Sequence, residues 1–370
     1  MQNEHRLTDK IIVDHLAFSV PLASFKHLSR AGSEASKRYQ WHKMPAQKWR
    51  SIKDIEQIKC DKHRAEEMER RHEDIINYNA ECEFILFQRF KQFMSNIMSL
   101  KLSNARDKGL HGYTNSYRLL DITGRSELGF VGFGGNNNTI YVQISGEGCK
   151  HVFDKIRPFV LHFWLSKVLT VEQLSRIDLA YDDFDGNYCT EYALKSYADD
   201  AFNNPNGGKK PILDPKRPQQ GAKLVGDTIY VGSRKSTIFW RIYNKALEQG
   251  TEGVTWYRSE VELKKVSVDV LQNPAKAFAG INRFSASINL EHGNPLVAAK
   301  KRTVLDFNSR IKWAKRQCGR TLSDVLEAFG GDIYQAYGAL CEPRGGKFAI
   351  PDTQTDLLNK ILNEDIHHES

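Results

Sequence analysis

Cysteine is sparse and unpaired in pattern: Cys60, Cys82, Cys149, Cys189, Cys318 and Cys341 are scattered through 370 residues without a CxxC. Neither a disulfide framework nor a cysteine-rich zinc site is expected, and reduced thiols in a cytoplasm are the plain expectation. Long apolar runs are missing too. Charges interrupt every one well before the roughly 18 residues that a membrane-spanning helix needs. The opening Met1-Gln2-Asn3-Glu4-His5-Arg6 is polar and carries neither the apolar stretch nor the small-residue cleavage site of a secretory signal. Gly345-Gly346-Lys347-Phe348 lacks the hydroxyl and the upstream glycine of a P-loop. There is no HExxH and no histidine–apolar–histidine triplet, so zinc-protease chemistry and a metal site built on a histidine pair are not expected. His27-Leu28-Ser29-Arg30 fits the HxxR of tyrosine recombinases, but it lies far from a suitable C-terminal tyrosine and is a chance match.

What remains is ample for a folded protein. Hydrophobic residues make up 40% and aromatics 11%, which suffices for a sizeable core. The length fits two or three domains, or one with a large insertion. Lys and Arg number 53 against 45 Asp and Glu, a net charge of +8 that suits a nucleic-acid partner and is also common in ordinary proteins.

Ile11 to Val20 reads as a strand. Residues 35–105 change character. Lys53 to Asp74 is dense in mixed charge, and Leu86, Phe90, Phe93 and Ile97 recur at helical spacing, which predicts one or two long helices as an insertion. Strands at about 113–120, 128–132 and 139–144 form a predicted meander, followed by one apolar helix over 150–169. A strand, a helix, a lysine-rich loop and three strands fill 174–264, and the rest is mainly helical, with a frayed tail at His367-His368-Glu369-Ser370. The fold class is therefore α+β: a central, mainly antiparallel sheet with the site on one face, flanking helices, a helical insertion near the N-terminus and a helical C-terminal region. The expected divisions are 1–110, 111–265 (joined by the strand at 11–20) and 266–370.

Three strands place polar groups on one face. Side chains alternate along a strand, so Arg176, Asp178, Ala180 and Asp182 share a face, as do Arg241, Tyr243 and Lys245, and Arg258, Glu260 and Glu262. If the strands are neighbours, four carboxylates converge with arginines, a lysine and a tyrosine. Clustered carboxylates repel unless a cation neutralises them, and hard oxygen ligands suit Mg²⁺ or Mn²⁺. A tyrosine beside such an ion is a candidate nucleophile for phosphoryl transfer. The plainer alternative stays open: alternating charge is the usual solvated face of a half-buried sheet.

The segments Leu174-Ser175-Arg176-Ile177-Asp178-Leu179-Ala180-Tyr181-Asp182, Tyr230-Val231-Gly232-Ser233-Arg234, Phe239-Trp240-Arg241-Ile242-Tyr243-Asn244-Lys245 and Trp256-Tyr257-Arg258-Ser259-Glu260-Val261-Glu262-Leu263-Lys264 occur in this order. In order and content they resemble the Rep_trans class of rolling-circle replication initiators. From Thr8-Asp9-Lys10 onward the chain is similar to the RstA replication proteins of CTX-type filamentous phages. The resemblance implies a metal-dependent DNA endonuclease and strand transferase that starts rolling-circle replication through a covalent 5′-phosphotyrosine. Tyr243 falls at the nucleophile position, with Lys245 and Arg241 beside the scissile phosphate. Asp178, Glu260, Asp182 and Glu262 are the implied metal set, for Mg²⁺ or Mn²⁺. Arg176, Arg234, Arg258, Lys209, Lys210, Lys216 and Lys264 are expected to contact DNA, and Asp183 and Asp185 to be solvated. Expected partners are phage or plasmid origin DNA, single-stranded or in a hairpin, with a host helicase and DNA polymerase, in the cytoplasm of a bacterial host and without a membrane. A homodimer is left open. The rival is a non-catalytic origin-binding protein or transcriptional repressor.

Overall fold

The computed structural model describes residues 10–251, 253–288 and 295–340. The readings on Thr8-Asp9, Cys341, Gly345 to Phe348 and the tail His367 to Ser370 lie outside the described residues. Twelve strands are present among them: β1 (Ile11–Pro21), β2 (Leu100–Ala105), β3 (Asn115–Asp121), β4 (Glu127–Phe133), β5 (Thr139–Ile144), β6 (Gln173–Asp183), β7 (Leu213–Lys216), β8 (Gln219–Gln220), β9 (Lys223–Leu224), β10 (Thr228–Gly232), β11 (Ile238–Asn244) and β12 (Tyr257–Ser267). Ten build one sheet in the order β2-β3-β4-β5-β1-β6-β12-β11-β10-β7, and β8 and β9 form a separate ribbon. Every neighbouring pair in the sheet is antiparallel.

Eleven α-helices accompany the strands among the described residues: α1 (Ser33–Tyr39), α2 (Ile52–Glu56), α3 (Asp61–Met98), α4 (Gly146–Lys155), α5 (Pro158–Phe163), α6 (Thr190–Ala198), α7 (Lys245–Glu248), α8 (Pro274–Ala279), α9 (Arg283–Ser287), α10 (Pro295–Ala328) and α11 (Ile333–Leu340). The core lies on one face of the sheet. Leu16, Phe18 and Val20 of β1, Ile177 and Leu179 of β6, Trp240 and Ile242 of β11, and Val261 and Leu263 of β12 pack there against helical residues such as Phe90, Met94, Leu161, Phe278 and Phe284. Burying that apolar set leaves the alternate residues of the same strands on the other face.

The helical stretch near the N-terminus is one long element plus two short ones. At 1.5 Å per residue α3 is about 57 Å long. Its second half is buried through Leu86, Phe90, Phe93 and Ile97, and its first half is mostly exposed. The predicted helical block ends early: Ser99 takes a left-handed backbone with φ 54°, and Leu100–Ala105 turns into the edge strand β2. The single apolar helix expected over 150–169 is broken as well. Ile156 and Arg157 are extended, because Pro158 disfavours a helical residue before it and fits the first turn of a new helix. The chain from Trp164 to Val168 then winds as a π-helix. No helix among the described residues is long and apolar enough to cross a membrane.

Candidate active site

The polar residues of this face line up in rows across β6, β12 and β11. Asp182, Arg258 and Tyr243 form one row, Ala180, Glu260 and Arg241 the next, then Asp178, Glu262 and Phe239, with Arg176 opposite Lys264. Directly opposite residues of an antiparallel pair project to the same side, so the register itself assembles the cluster. The sequence alternation predicted these faces, and the strand order brings them together.

Tyr243 is 8% exposed, and its hydroxyl donates to Glu260 Oε2 at 3.3 Å. Burial pushes the phenol pKa well up. Arg258 opposes that rise and Glu260 adds to it. Arg241 and Lys245 flank Tyr243 in sequence, but burial wins, and the cation that counts is Arg258, across the strand. Arg241 is ion-paired with Glu260. Burial, reinforced by Asp14, holds the Glu260 carboxyl above its ordinary range, against the pull of Arg241. Lys245 opens α7 rather than extending β11. Its Nζ pairs with Glu248 and lies 5.5 Å from the Tyr243 ring centre.

Asp182 and Arg258 form a closed unit. The Arg258 side chain is 5% exposed and that of Asp182 0%, with Nε to Oδ1 at 2.7 Å and Nη2 to Oδ2 at 2.9 Å. Arg258 Nη1 also reaches Asp14 Oδ2 at 3.3 Å. Two expectations meet this geometry: Arg258, expected at a phosphate, and Asp182, expected at a metal, are closed on each other inside the protein. Asp14 joins the cluster unforeseen. Burial raises its pKa, but Arg258, with Lys150 and Lys245, outweighs burial and the net shift is downward. His15, opposite Asp178, has its pKa lowered by burial.

The remaining carboxylates suit a cation. Asp178 and Glu262 face each other across β6 and β12, both buried. Arg176 bridges them, with Nη2 at 2.6 Å from Asp178 Oδ2 and 2.8 Å from Glu262 Oε2, and Lys264 Nζ is 2.8 Å from Glu262 Oε1. Among the described residues no three His, Cys, Asp or Glu side chains converge as a ready metal shell. Mg²⁺ needs fewer: it commonly keeps its waters and binds one or two carboxylates together with a substrate phosphate. By donor chemistry the Asp178–Glu262 pair fits that pattern, and the four-carboxylate set does not.

The expected DNA contacts divide by face. Lys216 pairs in register with Thr228, and Thr228 with Tyr243, so Lys216 shares the face of Tyr243. Its Nζ is 2.9 Å from Asp214. Arg234 lies over the Phe239 ring at 5.5 Å, on the same side, and its carbonyl accepts from Lys264. Lys209 and Lys210 instead border a cavity of about 410 Å³ whose walls include Trp240 and Val231, residues of the opposite face. Lys210 pairs with Asp200 at 2.6 Å. Asp183 is not solvated: it is buried and accepts backbone N–H bonds from Asp185, Gly186 and Tyr188, closing the turn after β6.

Comparison with known proteins places the same strands in a family context. Residues 172–336 match the model of the replication initiation factor family, Rep_trans. The matched segment runs from the start of β6 to the middle of α11, just under half of the chain, and contains Asp178, Tyr243, Glu260 and Glu262. Among solved structures the chain is similar to a rolling circle replication initiator protein from Geobacillus stearothermophilus, with 22% identity over 50% of this chain and 73% of that one and a TM-score of 0.41. No curated protein matches the sequence.

Proposed function

We propose that this protein starts rolling-circle replication by nicking and rejoining origin DNA. The observation that carries the reading is the buried Tyr243 hydroxyl hydrogen-bonded to Glu260, on a sheet face rich in arginine and within a segment that matches replication initiation factors. Glu260 accepts the phenol proton as Tyr243 Oη attacks the phosphorus. The bond from phosphorus to the 3′ oxygen breaks, and that oxygen leaves as a 3′ hydroxyl once protonated, free to prime a polymerase. The 5′ phosphate stays on Tyr243, and the reverse displacement rejoins the strand without ATP. Arg241, half-exposed beside Glu260, supplies positive charge to the phosphate in flight. Asp178 and Glu262 would hold Mg²⁺ or Mn²⁺, whose chemistry is to polarise the phosphate oxygens. The substrate strand must be single-stranded or in a hairpin, which makes a helicase and a DNA polymerase the expected partners. The setting we propose is the cytoplasm of a bacterial host, on the origin of a filamentous phage of the CTX type.

One observation favours the rival, a non-catalytic origin binder: all four carboxylates that β6 and β12 place on this face, Asp178, Asp182, Glu260 and Glu262, are paired with arginines. Incubation with an origin oligonucleotide, followed by denaturation, separates the two. An adduct that survives is expected, and its absence in Mg²⁺ and in Mn²⁺ would leave the binder. Excess chelator and Asp178→Asn are each expected to lower nicking by about a hundredfold or more, the scale of losing one charge-stabilising group. Full nicking in either case would remove the metal from the mechanism.

The basic residues give a second test. Lys216→Ala and Arg234→Ala are each expected to flatten the log–log salt dependence of DNA binding by about one unit. Lys209→Ala and Lys210→Ala are expected to leave it unchanged. Equal slopes for all four variants would mean that the face assignment does not govern DNA contact.

A further inference from the structure

Two like charges directly opposite on neighbouring strands repel, and burial makes an unpaired carboxylate far more costly. Asp178 and Glu262 are such a pair, and Arg176 is the group that makes them tolerable. It is bidentate on Asp178, with Nε to Oδ1 at 2.8 Å and Nη2 to Oδ2 at 2.6 Å, and the same Nη2 reaches Glu262. The cations of this face differ in how they are held. Arg258 is sealed in, with a side chain 5% exposed, whereas Arg176 is 31% and Lys264 30% exposed. Arg176 and Lys264 therefore reach the pair from the solvent side on flexible stems. Either can withdraw into water without stranding a buried positive charge, and Arg258 cannot.

We propose that Arg176 is an exchangeable cation. It holds the Asp178–Glu262 pair while the protein is free, yields those oxygens to Mg²⁺ or Mn²⁺, and turns its freed guanidinium to a phosphate of the incoming strand. The inference rests on the nicking reading above and adds a coupling to it. A planar guanidinium fork matches the two oxygens of a phosphate as well as those of a carboxylate, so one side chain serves both partners. The exchange keeps the carboxylate pair neutralised throughout and raises the positive charge of the face only when the ion has arrived. Linkage then requires that the ion tighten DNA binding and that DNA tighten ion binding by the same factor.

The test uses the full chain carrying Tyr243→Phe, so that no strand is cut. Mn²⁺ affinity is measured by electron paramagnetic resonance, and the affinity for a fluorescent single-stranded oligonucleotide by anisotropy with and without Mn²⁺. The parent is expected to bind the oligonucleotide more tightly in Mn²⁺. Arg176→Ala is expected to bind Mn²⁺ more tightly than the parent by a factor between about 5 and 150, the usual span of such couplings. It is also expected to lose the enhancement of oligonucleotide binding by Mn²⁺. Because alanine leaves two buried carboxylates without their bridge, Arg176→Lys is measured beside it. That variant keeps a cation but not the fork, and its Mn²⁺ affinity should fall between the other two. Mn²⁺ affinity unchanged or weakened in both variants overturns the exchange, as does a parent whose oligonucleotide binding ignores Mn²⁺. Asp178→Asn tells the two failures apart. If it removes Mn²⁺ binding while Arg176→Ala does not tighten it, the ion's seat stands and the exchange is wrong. If Mn²⁺ binding survives Asp178→Asn, the ion sits elsewhere, and the metal part of the nicking reading falls with the exchange.

Discussion

Tyr243→Phe is expected to abolish the covalent protein–DNA adduct, a loss of about 10⁶-fold in strand cleavage, as when other enzymes lose their nucleophile. The substitution removes one oxygen and one hydrogen bond of 3.3 Å, while the ring keeps its packing. Folding and origin binding should therefore persist, and binding assays on the same preparation check that they do. The phenol is held protonated by burial, so it cannot act as a free phenolate at neutral pH. Its proton must leave during attack, and Glu260 is the acceptor in contact. Other tyrosines are worse placed. Burial raises Tyr181 to about 12, and its ring packs against Tyr188. Tyr230 is stacked on Phe239. An adduct formed by the Tyr243→Phe protein would move the nucleophile to another residue.

The largest effect on stability is expected at the buried pair. Asp182→Asn removes the negative charge beside the buried Arg258 guanidinium and leaves Asp14, at 3.3 Å, as its charged partner among the described residues. Breaking a buried ion pair from one side costs about 3–5 kcal/mol, which equilibrium denaturation in urea would register directly. Replacing both partners, as in Asp182→Asn with Arg258→Met, should recover part of the loss, because no charge is then stranded. If Asp182 were instead a metal ligand, Asp182→Asn would leave the metal-free protein as stable as before and weaken Mn²⁺ binding. The two assignments thus predict opposite patterns from one variant.

The polar face of the candidate site could be read in the sequence because β6, β11 and β12 keep strict alternation through its residues. A period of two fixes the face once the strand is known. Asp14 could not be read the same way. Leu16, Phe18 and Val20 are core residues, and counting back by twos puts Asp14 in the core with them. The ladder between β1 and β6 slips between Val13 and His15, so before that bulge the core residues are Ile11 and Val13, and Asp14 is turned toward Arg258. A bulge inverts the side-chain phase and leaves little trace in residue types. The arginine clamps were hidden for a different reason. Alternation shows that Arg258 and Asp182 share a face, but only the register shows that they are directly opposed and closed off from solvent. The position of Lys209 and Lys210 beside opposite-face residues could not be read either, because a loop has no period to count.

The position of β1 has a consequence for how the protein is made. Ile11 pairs with Tyr181, about 170 positions later in the chain. At a synthesis rate of roughly 5–20 residues per second, the first strand leaves the ribosome some 10–35 seconds before the strand it must join. Until then one of its edges has no partner, and unpaired edges invite pairing with other chains. The strands of the candidate site face the mirror image of this delay. A segment limited to 172–336 would begin at β6 with the β1 side of that strand bare, and its expected behaviour on expression is aggregation. Folding of residues 172–336 is thus tied to residues made well before them, and the slow step is the return of an old strand to a new one.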